Sequence, residues 1–286
     1  MNDTMIYVFK ITFMPVKDII APPFTSKLSF TILREILDAN LKKLIDRIHE
    51  LKEPLKPYRI SLIFNWEGRP MYNTQYSKKI LTLRQGENYS FTATLLLRNT
   101  YSSPIIPRSH INVGLTQIEI TEIDVIVKSF KDFMSNNEYN EVFKLIFLTP
   151  TLLSAKLCLP PRVRVETSFN VYRLFPQPCL WLRSLVLYWN KYAPRELKFR
   201  DGYRLCRLGD VLLAETGYNV RPVTVVYGKG GRVIEHRGFV GWIKYRVVEE
   251  WFAKRIAPLL RLAELVGVGR SRSIGFGHVI VEYGDS

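Results

Sequence analysis

Four glycines, two arginines and two serines fall within twelve residues near the end of the chain, in the stretch 266–277. Glycine permits positive φ and close approach of another backbone, so such a stretch can turn sharply and expose backbone amides. Successive free amides form a concave anion-binding site, and arginine adds forked donors that suit phosphate. The pattern therefore predicts a phosphate-binding loop. Its candidate contact residues are Gly267, Gly269, Arg270, Ser271, Arg272, Ser273, Gly275 and Gly277.

The elements around this glycine-rich loop distinguish it from two familiar nucleotide-binding loops. An amphipathic helix is predicted over 248–265 before the loop, and a strand over 278–283 after it. A dinucleotide fingerprint or a Walker loop instead follows a strand and opens a helix, and a Walker loop ends in Gly-Lys-Ser/Thr. Neither condition is met. What remains is an anion-binding loop or, alternatively, a helix stop at Gly267 followed by a tight turn.

Lys27 occupies an unusual position for a cation, at the predicted start of the first helix. Thr25 and Ser26 before it are residues of the N-cap type, and the positive end of a helix dipole normally favours Asp or Glu. A lysine beside free helical amides is suited to holding a phosphate between them. The alternative is an exposed, solvated lysine without a ligand.

Two further side chains have the chemistry for proton transfer or phosphate binding. His49 borders the apolar face of the first helical region, and a histidine with the ordinary pKa of about 6.5 can exchange a proton near neutral pH. Arg237 shares strand parity with Phe239 and Ile243, so it is expected to point with apolar residues and to need a phosphate or carboxylate partner. A solvated histidine at a helix end and an internally paired arginine are the structural alternatives.

Signals for metal or cofactor chemistry are weak. His110 and His278 lack the spacing of metal ligands, and no cluster of Asp, Glu or His indicates a metal, so neither a metal nor a cofactor is expected. The three cysteines, Cys158, Cys179 and Cys206, are widely spaced and odd in number. This spacing argues against a disulfide framework and predicts buried thiols.

The composition of the chain favours a polyanionic partner. It has 286 residues, with 41 Lys and Arg against 26 Asp and Glu, a net charge of +15 and 47% hydrophobic residues. A packed core is therefore expected, and nucleic acid is the first partner that such a charge favours, ahead of a membrane surface. No apolar run approaches the ~20 residues of a membrane span, and the N-terminus lacks a signal-peptide layout. The expectation is a cytoplasmic protein without a membrane partner.

The elements that must position these side chains repeat once along the chain. Strands are predicted at 5–13, 58–64, 79–97 (one or two strands), 113–128, 142–147, 220–227, 233–245 and 278–283. Helices are predicted after Thr25 with a break at 38–40, and at 181–192, 204–217 and 248–265, with loops at 104–112 and 150–178. Both halves follow a β-α-β-β-α-β order, with the second helix of the first half shortened or absent. The sequence thus predicts an α+β protein of two tandem ferredoxin-like domains, 1–130 and 131–286, with a C-terminal glycine-rich loop.

Four stretches together resemble a known family. They are Ser26-Lys27, the segment 149–161, Arg237-Gly-Phe-Val-Gly-Trp242 and the terminal Gly-x-Gly-Arg-x-Arg-x-x-Gly-Phe-Gly. In this order they resemble the RAMP superfamily and, within it, the archaeal CRISPR-associated endoribonucleases that cut precursor CRISPR RNA within its repeats. The resemblance reaches from near residue 5 to residue 283 and implies the same pair of ferredoxin-like domains.

The resemblance implies a reaction without a metal. The 2′-hydroxyl upstream of the scissile phosphate attacks it and leaves a 2′,3′-cyclic phosphate and a 5′-hydroxyl, while the protein orients the hydroxyl, neutralises the phosphate and protonates the leaving oxygen. The implied catalytic residues are Lys27, Lys56, Arg237 and His49. Lys56 enters because many members carry a basic residue just before the second strand. His49 does not align cleanly with the histidine of relatives, so slow cleavage by lysines and substrate positioning is the alternative.

The implied partner is CRISPR repeat RNA, contacted by the glycine-rich loop and by a predicted hairpin tip at 228–231. Lys229 and Arg232 flank that tip, which in relatives that bind structured repeats probes the base of the stem. A homodimer and hand-over of product to an interference complex also stay open. Two other functions remain for the same residues: a non-catalytic RNA-binding RAMP subunit of a CRISPR interference complex, and a general basic RNA-binding module.

Overall fold

A computed structural model describes residues 4–51, 53, 55–77, 79–98, 105–106, 108–114, 116–135, 139–160, 163, 171–229 and 232–284, with the backbone alone at 228, 229, 232 and 233. These residues form two compact units. The first unit comprises Met1–Lys128, Val225–His236 and Ser273–Gly275, and the second comprises Ser129–Thr224, Arg237–Arg272 and Phe276–Ser286.

Strands and helices alternate along the described residues. The strands are β1 (Met5–Pro15), β2 (Ile19–Ala21), β3 (Tyr58–Ile60), β4 (Leu81–Leu83), β5 (Tyr89–Leu97), β6 (His110–Val113), β7 (Thr116–Ser129), β8 (Val142–Thr151), β9 (Leu153–Ser154), β10 (Tyr172–Arg173), β11 (Leu213–Lys229), β12 (Arg232–Val247) and β13 (Val279–Tyr283). The α-helices are α1 (Ser26–Ile36), α2 (Ala39–Glu50), α3 (Phe130–Ser135), α4 (Pro178–Tyr192), α5 (Gly202–Leu212) and α6 (Glu250–Val266). Short 3-10 turns occupy Ala155–Cys158, Arg195–Leu197 and Arg272–Ile274.

The first unit is built on a five-stranded sheet with the order β3-β5-β1-β7-β6. Alternate residues of β1, among them Phe9, Ile11 and Phe13, are fully buried in a core that α1 and α2 complete with Ile32 and Leu41. Counting β1, β3, β5 and β7 as the first to fourth strands, the sheet order is second, third, first, fourth. This is the order of a ferredoxin-like sheet.

A single side chain fixes the break between α1 and α2. Asp38 is the N-cap residue of α2, and its carboxylate accepts hydrogen bonds from the amides of Asn40 at 2.7 Å and Leu41 at 3.1 Å. An N-cap carboxylate satisfies helix amides that have no partner within the helix, so a new helix starts here. The predicted break at 38–40 is confirmed.

The second unit repeats the strand order in a four-stranded sheet, β11-β12-β8-β13. Its core contains the rings of Phe143 on β8, Trp181 on α4 and Tyr245 on β12, with Phe143 and Tyr245 5.5 Å apart between centroids. The glycine-rich loop connects α6 to the edge strand β13, as predicted. The α+β class and the pair of ferredoxin-like units are confirmed.

Several predicted boundaries differ from the structure. Residues 110–113 lie in β6 and not in a loop, because they form a hairpin with β7 across Gly114, which has φ +62°. The helix predicted to Gly217 ends at Leu212, and 213–217 open β11 because pairing in the sheet prevails over local helix propensity. No helix occurs in the described residues between β5 and β7. Two short segments of the second half, Val225–His236 and Ser273–Gly275, lie with the first unit.

The cysteines correct the expectation of three buried thiols. Cys158 and Cys179 form a disulfide with their Cα atoms 6.5 Å apart, because a 3-10 turn brings Cys158 against the start of α4. Their separation of 21 residues gave no sign of this contact. Cys206 is a free thiol, and burial raises its pKa to about 12. None of the helices in the described part of the chain combines the length and apolar character of a bilayer-spanning segment.

Candidate active site

The N-terminus of α1 lacks a side-chain cap. Thr25 is its N-cap residue, but the Thr25 hydroxyl donates to the Met71 carbonyl at 2.7 Å and accepts from the Ile63 amide at 3.0 Å. The hydroxyl is therefore unavailable to the helix. The side chain of Lys27, the second residue of the helix, is exposed. The structure thus places a cation beside helix amides, where an anion binds favourably.

Residues 273–275 of the glycine-rich loop lie against this helix start, within the first unit. At Gly275, which has φ +94°, an added Cβ would lie 2.9 Å from the Ser26 Cβ and 2.8 Å from a methyl carbon of Leu62. Only a residue without a side chain allows the backbone to approach so closely. The loop backbone consequently forms one wall beside Lys27.

A hydrogen-bonded chain of three side chains lies in the same unit. The Nδ1 atom of His49, in the last turn of α2, is 2.5 Å from the Tyr58 hydroxyl, which is also hydrogen-bonded to the Ser273 side chain. Burial raises the pKa of Tyr58 well above its ordinary value, and the Ser273 hydrogen bond opposes this only in part. The phenol therefore stays protonated, so it donates to one neighbour and accepts from the other.

The imidazole of His49 is held on two sides although it is exposed. The ring of Phe30 stacks on it with centroids 4.6 Å apart, and Tyr58, only 1% exposed, holds its Nδ1. Lys56 donates a hydrogen bond from Nζ to the carbonyl oxygen of His49, where a cation suits the C-terminal end of α2. The structure thus brings together two predicted site residues, His49 and Lys56.

Most of the glycine-rich loop is fixed within the second unit by its own backbone. The amides of the loop donate to internal acceptors: Gly267 to Ala263 at 2.7 Å, Val268 to Gly277 at 2.8 Å, Gly269 to the Ser184 hydroxyl at 3.0 Å, Arg270 to Leu152 at 3.0 Å and Gly277 to Pro150 at 3.0 Å. The positive φ values of Gly267, Gly269, Ser271 and Gly277, between 62° and 84°, follow this path. These amides shape the loop and do not form an open anion-binding concavity.

The two loop arginines differ in burial. Arg272 is 5% exposed, and its guanidinium donates to the carbonyl of Gly269 at 2.9 Å and to that of Ser184 at 2.8 Å, above the ring of Tyr188. Burial lowers the pKa of Arg272 to about 10. The expectation that Arg272 donates to a phosphate at the surface does not fit this position. Arg270 and Ser271 are half-buried and keep part of their surface in solvent.

Arg237 is exposed, contrary to the expectation that it points with the apolar residues Phe239 and Ile243. The reason is that Phe239, opposite Thr151, is the last residue of β12 in register with β8, and Arg237 lies beyond this pairing. It belongs to the second unit. The side chains of Lys229 and Arg232 lie outside the described residues.

Tyr58 and Ser184 are the contacts that sequence reasoning missed. Tyr58 stands at the first position of a strand between buried residues, where a tyrosine is ordinary. Its position two residues after Lys56 and nine after His49 was the one available signal, and it has no fixed meaning in sequence. Ser184 binds the glycine-rich loop from the middle of α4, 85 residues before Gly269.

Comparison with known proteins gives consistent matches over nearly the whole chain. A family model described as CRISPR-associated endoribonuclease Cas6 matches residues 145–279, and one described as Cas6 N-terminal domain matches residues 7–128. Two proteins of Saccharolobus solfataricus named CRISPR-associated endoribonuclease Cas6 are each 27% identical to the chain, over 96% of both lengths.

Solved structures show the same fold. A Cas6 product complex has a TM-score of 0.67 at 17% identity, covering 97% of this chain and all of the other. Thermus thermophilus Cas6 has a TM-score of 0.64 at 17% identity, covering 98% and 99%. A Cas6-related protein of Pyrococcus furiosus has a TM-score of 0.52 at 12% identity, covering 96% and 98%.

Proposed function

We infer, since the chain belongs to the Cas6 family of CRISPR-associated endoribonucleases, that it cuts precursor CRISPR RNA within its repeats without using a metal. In the proposed reaction, the 2′-hydroxyl upstream of the cut attacks the neighbouring phosphate. The products carry a 2′,3′-cyclic phosphate and a 5′-hydroxyl. The observation that carries this proposal is the His49–Tyr58–Ser273 chain in the unit where Lys27 stands at an uncapped helix start.

Binding of the scissile phosphate is assigned to the start of α1. The Lys27 ammonium and the helix amides next to it supply positive charge that need not titrate during the reaction. Such preorganised charge stabilises the additional negative charge of the pentacoordinate transition state more than the ground state. Cationic side chains can supply the neutralisation that a metal ion provides in other nucleases, which supports a metal-independent reaction.

Proton transfer is assigned to His49. Because Tyr58 holds Nδ1, the nitrogen left to exchange a proton with the RNA is Nε2. Stacking on Phe30 fixes the plane of the ring, so the imidazole does not have to be ordered during the reaction. Tyr58, Ser273 and Lys56 act through His49: the first two orient its ring, and Lys56 holds the end of its helix.

RNA binding away from the cut is assigned to exposed cations of the second unit and of the hairpin. Arg270, Arg237, Lys229 and Arg232 are the proposed phosphate contacts, with Ser271 and Ser273 beside the strand. Gly267, Gly269, Gly275, Gly277 and Arg272 give the loop its path. Contacts to phosphate favour any RNA in proportion to charge, so recognition of the repeat must come from base contacts or RNA shape.

The first experiment asks whether cleavage needs a metal and a 2′-hydroxyl. Repeat RNA is incubated with the protein in EDTA, alongside the same RNA with one 2′-deoxy nucleotide at the position before the cut. We expect cleavage in EDTA to match cleavage in Mg²⁺, and the deoxy RNA to bind but remain intact. Loss of cutting in EDTA would reject metal independence. Binding of both RNAs without any cutting would instead indicate a non-catalytic subunit.

A second experiment isolates Lys27. Lys27→Ala should lower the single-turnover rate at least about tenfold, with nearly unchanged affinity, because it removes an interaction that strengthens in the transition state. The control is Lys43→Ala, which removes an equally exposed lysine from α2. Equal rates for the two variants would remove Lys27 from the reaction.

A further inference from the structure

The outer edge of β7 has an uncovered part. β7 is hydrogen-bonded to β1 on one side and to β6 on the other, but β6 pairs only with residues 116–119. The Ile120 amide then donates to the Ser109 carbonyl at 2.7 Å. Along 121–128 no strand among the described residues continues the sheet. A free edge of this length leaves a row of backbone donors and acceptors that can pair with another strand.

The side chains on this edge are apolar in the centre. Val125, Ile126 and Val127 are 41%, 52% and 46% exposed, three adjacent β-branched residues in a run without proline or glycine. Soluble proteins usually protect such an edge with charge in its middle, a proline or a bulge. Here the charges stand at the two ends, with Asp124 before the apolar run and Lys128 after it, both exposed.

The order of these side chains is complementary to itself in antiparallel orientation. When two copies of the strand are aligned about Ile126, the two Ile126 residues face each other and Val125 of each copy faces Val127 of the other. In the same register, Asp124 of each copy faces Lys128 of the other. Every position from 124 to 128 thus meets a residue of like polarity or opposite charge, and residues directly opposite each other contribute most to pairing.

We propose that residues 124–128 of β7 pair antiparallel with the same residues of a second copy of the chain, forming a two-fold dimer whose sheet continues from one copy to the other. A two-fold axis uses the same surface twice, so the Asp124–Lys128 pair occurs twice. The inference concerns a different surface from the proposed active site and does not depend on the reaction.

The proposal is tested by charge reversal, with sedimentation equilibrium of the full chain without RNA as the measurement. The wild type should be a dimer. Asp124→Lys or Lys128→Asp each place two like-charge pairs in the interface, and each should weaken dimerisation at least about tenfold. The variant with both substitutions restores two opposite-charge pairs and should dimerise again. A matched reversal at an exposed carboxylate of the second unit, Glu196→Lys, should leave the dimer unchanged.

Mixing the two single variants separates pairing from misfolding. Each alone should be mainly monomeric, but one copy of Asp124→Lys and one of Lys128→Asp have opposite charges at both ends of the strand. They should therefore associate with each other, which a folding defect cannot produce. A monomeric wild type, a dimer that survives both single reversals, or a mixture that stays monomeric would each overturn self-pairing at this edge. A different protein or an uncovered edge would then account for the surface.

Discussion

The glycine-rich loop divides into an anchored part, residues 267–272 with 276–277, and a presented part, residues 273–275. In the anchored part, backbone amides and the Arg272 guanidinium bind carbonyl and hydroxyl groups within the second unit. In the presented part, Ser273 binds Tyr58 and Gly275 lies against Ser26 within the first unit. The comparison teaches that glycine density alone does not indicate an anion site. Here most glycines permit close packing, and only a short segment faces the chemistry.

The strongest way to break the anchored part is to add a side chain at Gly277. A Cβ there would lie 1.9 Å from the Val268 carbonyl oxygen at φ +70°, so the backbone itself would have to move. Gly277→Ala should cost more than about 3 kcal/mol of unfolding free energy, measured from the midpoint of urea denaturation. The control is Gly284→Ala, which has φ +91° but nothing within 4 Å, and should cost about 1 kcal/mol. Equal losses would mean that strain alone, and not packing, explains the glycine.

A second test of the anchored part removes its buried cation. Arg272→Ala leaves the carbonyls of Gly269 and Ser184 without their donor and opens a cavity beside Tyr188, so we expect a loss of about 3 kcal/mol in the same urea experiment. RNA affinity per folded molecule should change little, because the guanidinium is not at the surface. A variant of normal stability with a weakened salt dependence of RNA binding would return Arg272 to the RNA-binding surface.

The division of the loop could not be predicted from the sequence, whereas much of the fold could. The break at Asp38 was predictable because capping depends on neighbours two and three residues away. The partners of Arg272 include Ser184, 88 residues distant, and the His49–Tyr58–Ser273 chain joins three separate segments. Such contacts are set by packing, which no local pattern encodes.

The presented part is tested through Tyr58. Tyr58→Phe keeps the ring in the core but removes the hydroxyl that links His49 to Ser273, so the imidazole loses its fixed orientation. The single-turnover cleavage rate should fall about tenfold and RNA affinity should stay the same. The readout specific to positioning is the pH profile of cleavage, which should shift because Nδ1 has lost its partner. Tyr7→Phe, the same change at a second buried tyrosine of the first unit, serves as the control. An unchanged rate and profile would remove the chain of hydroxyls from the mechanism.

The smallest expected effect separates the two arginines of the loop most directly. Arg270 has a bonded backbone in the anchored part but a side chain that is still half-exposed, so its amide serves packing while its guanidinium can meet a phosphate. Arg270→Ala should leave the urea midpoint within about 0.5 kcal/mol of wild type, since it removes no buried contact comparable to those of Arg272. In filter binding over a range of salt concentrations, the slope of log affinity against log salt should fall by about one, as expected for the loss of a single phosphate contact. The control is Arg195→Ala, an exposed arginine in a 3-10 turn of the second unit, which should keep the wild-type slope. If both variants keep that slope, no part of the anchored segment contacts RNA, and its arginines serve the fold alone.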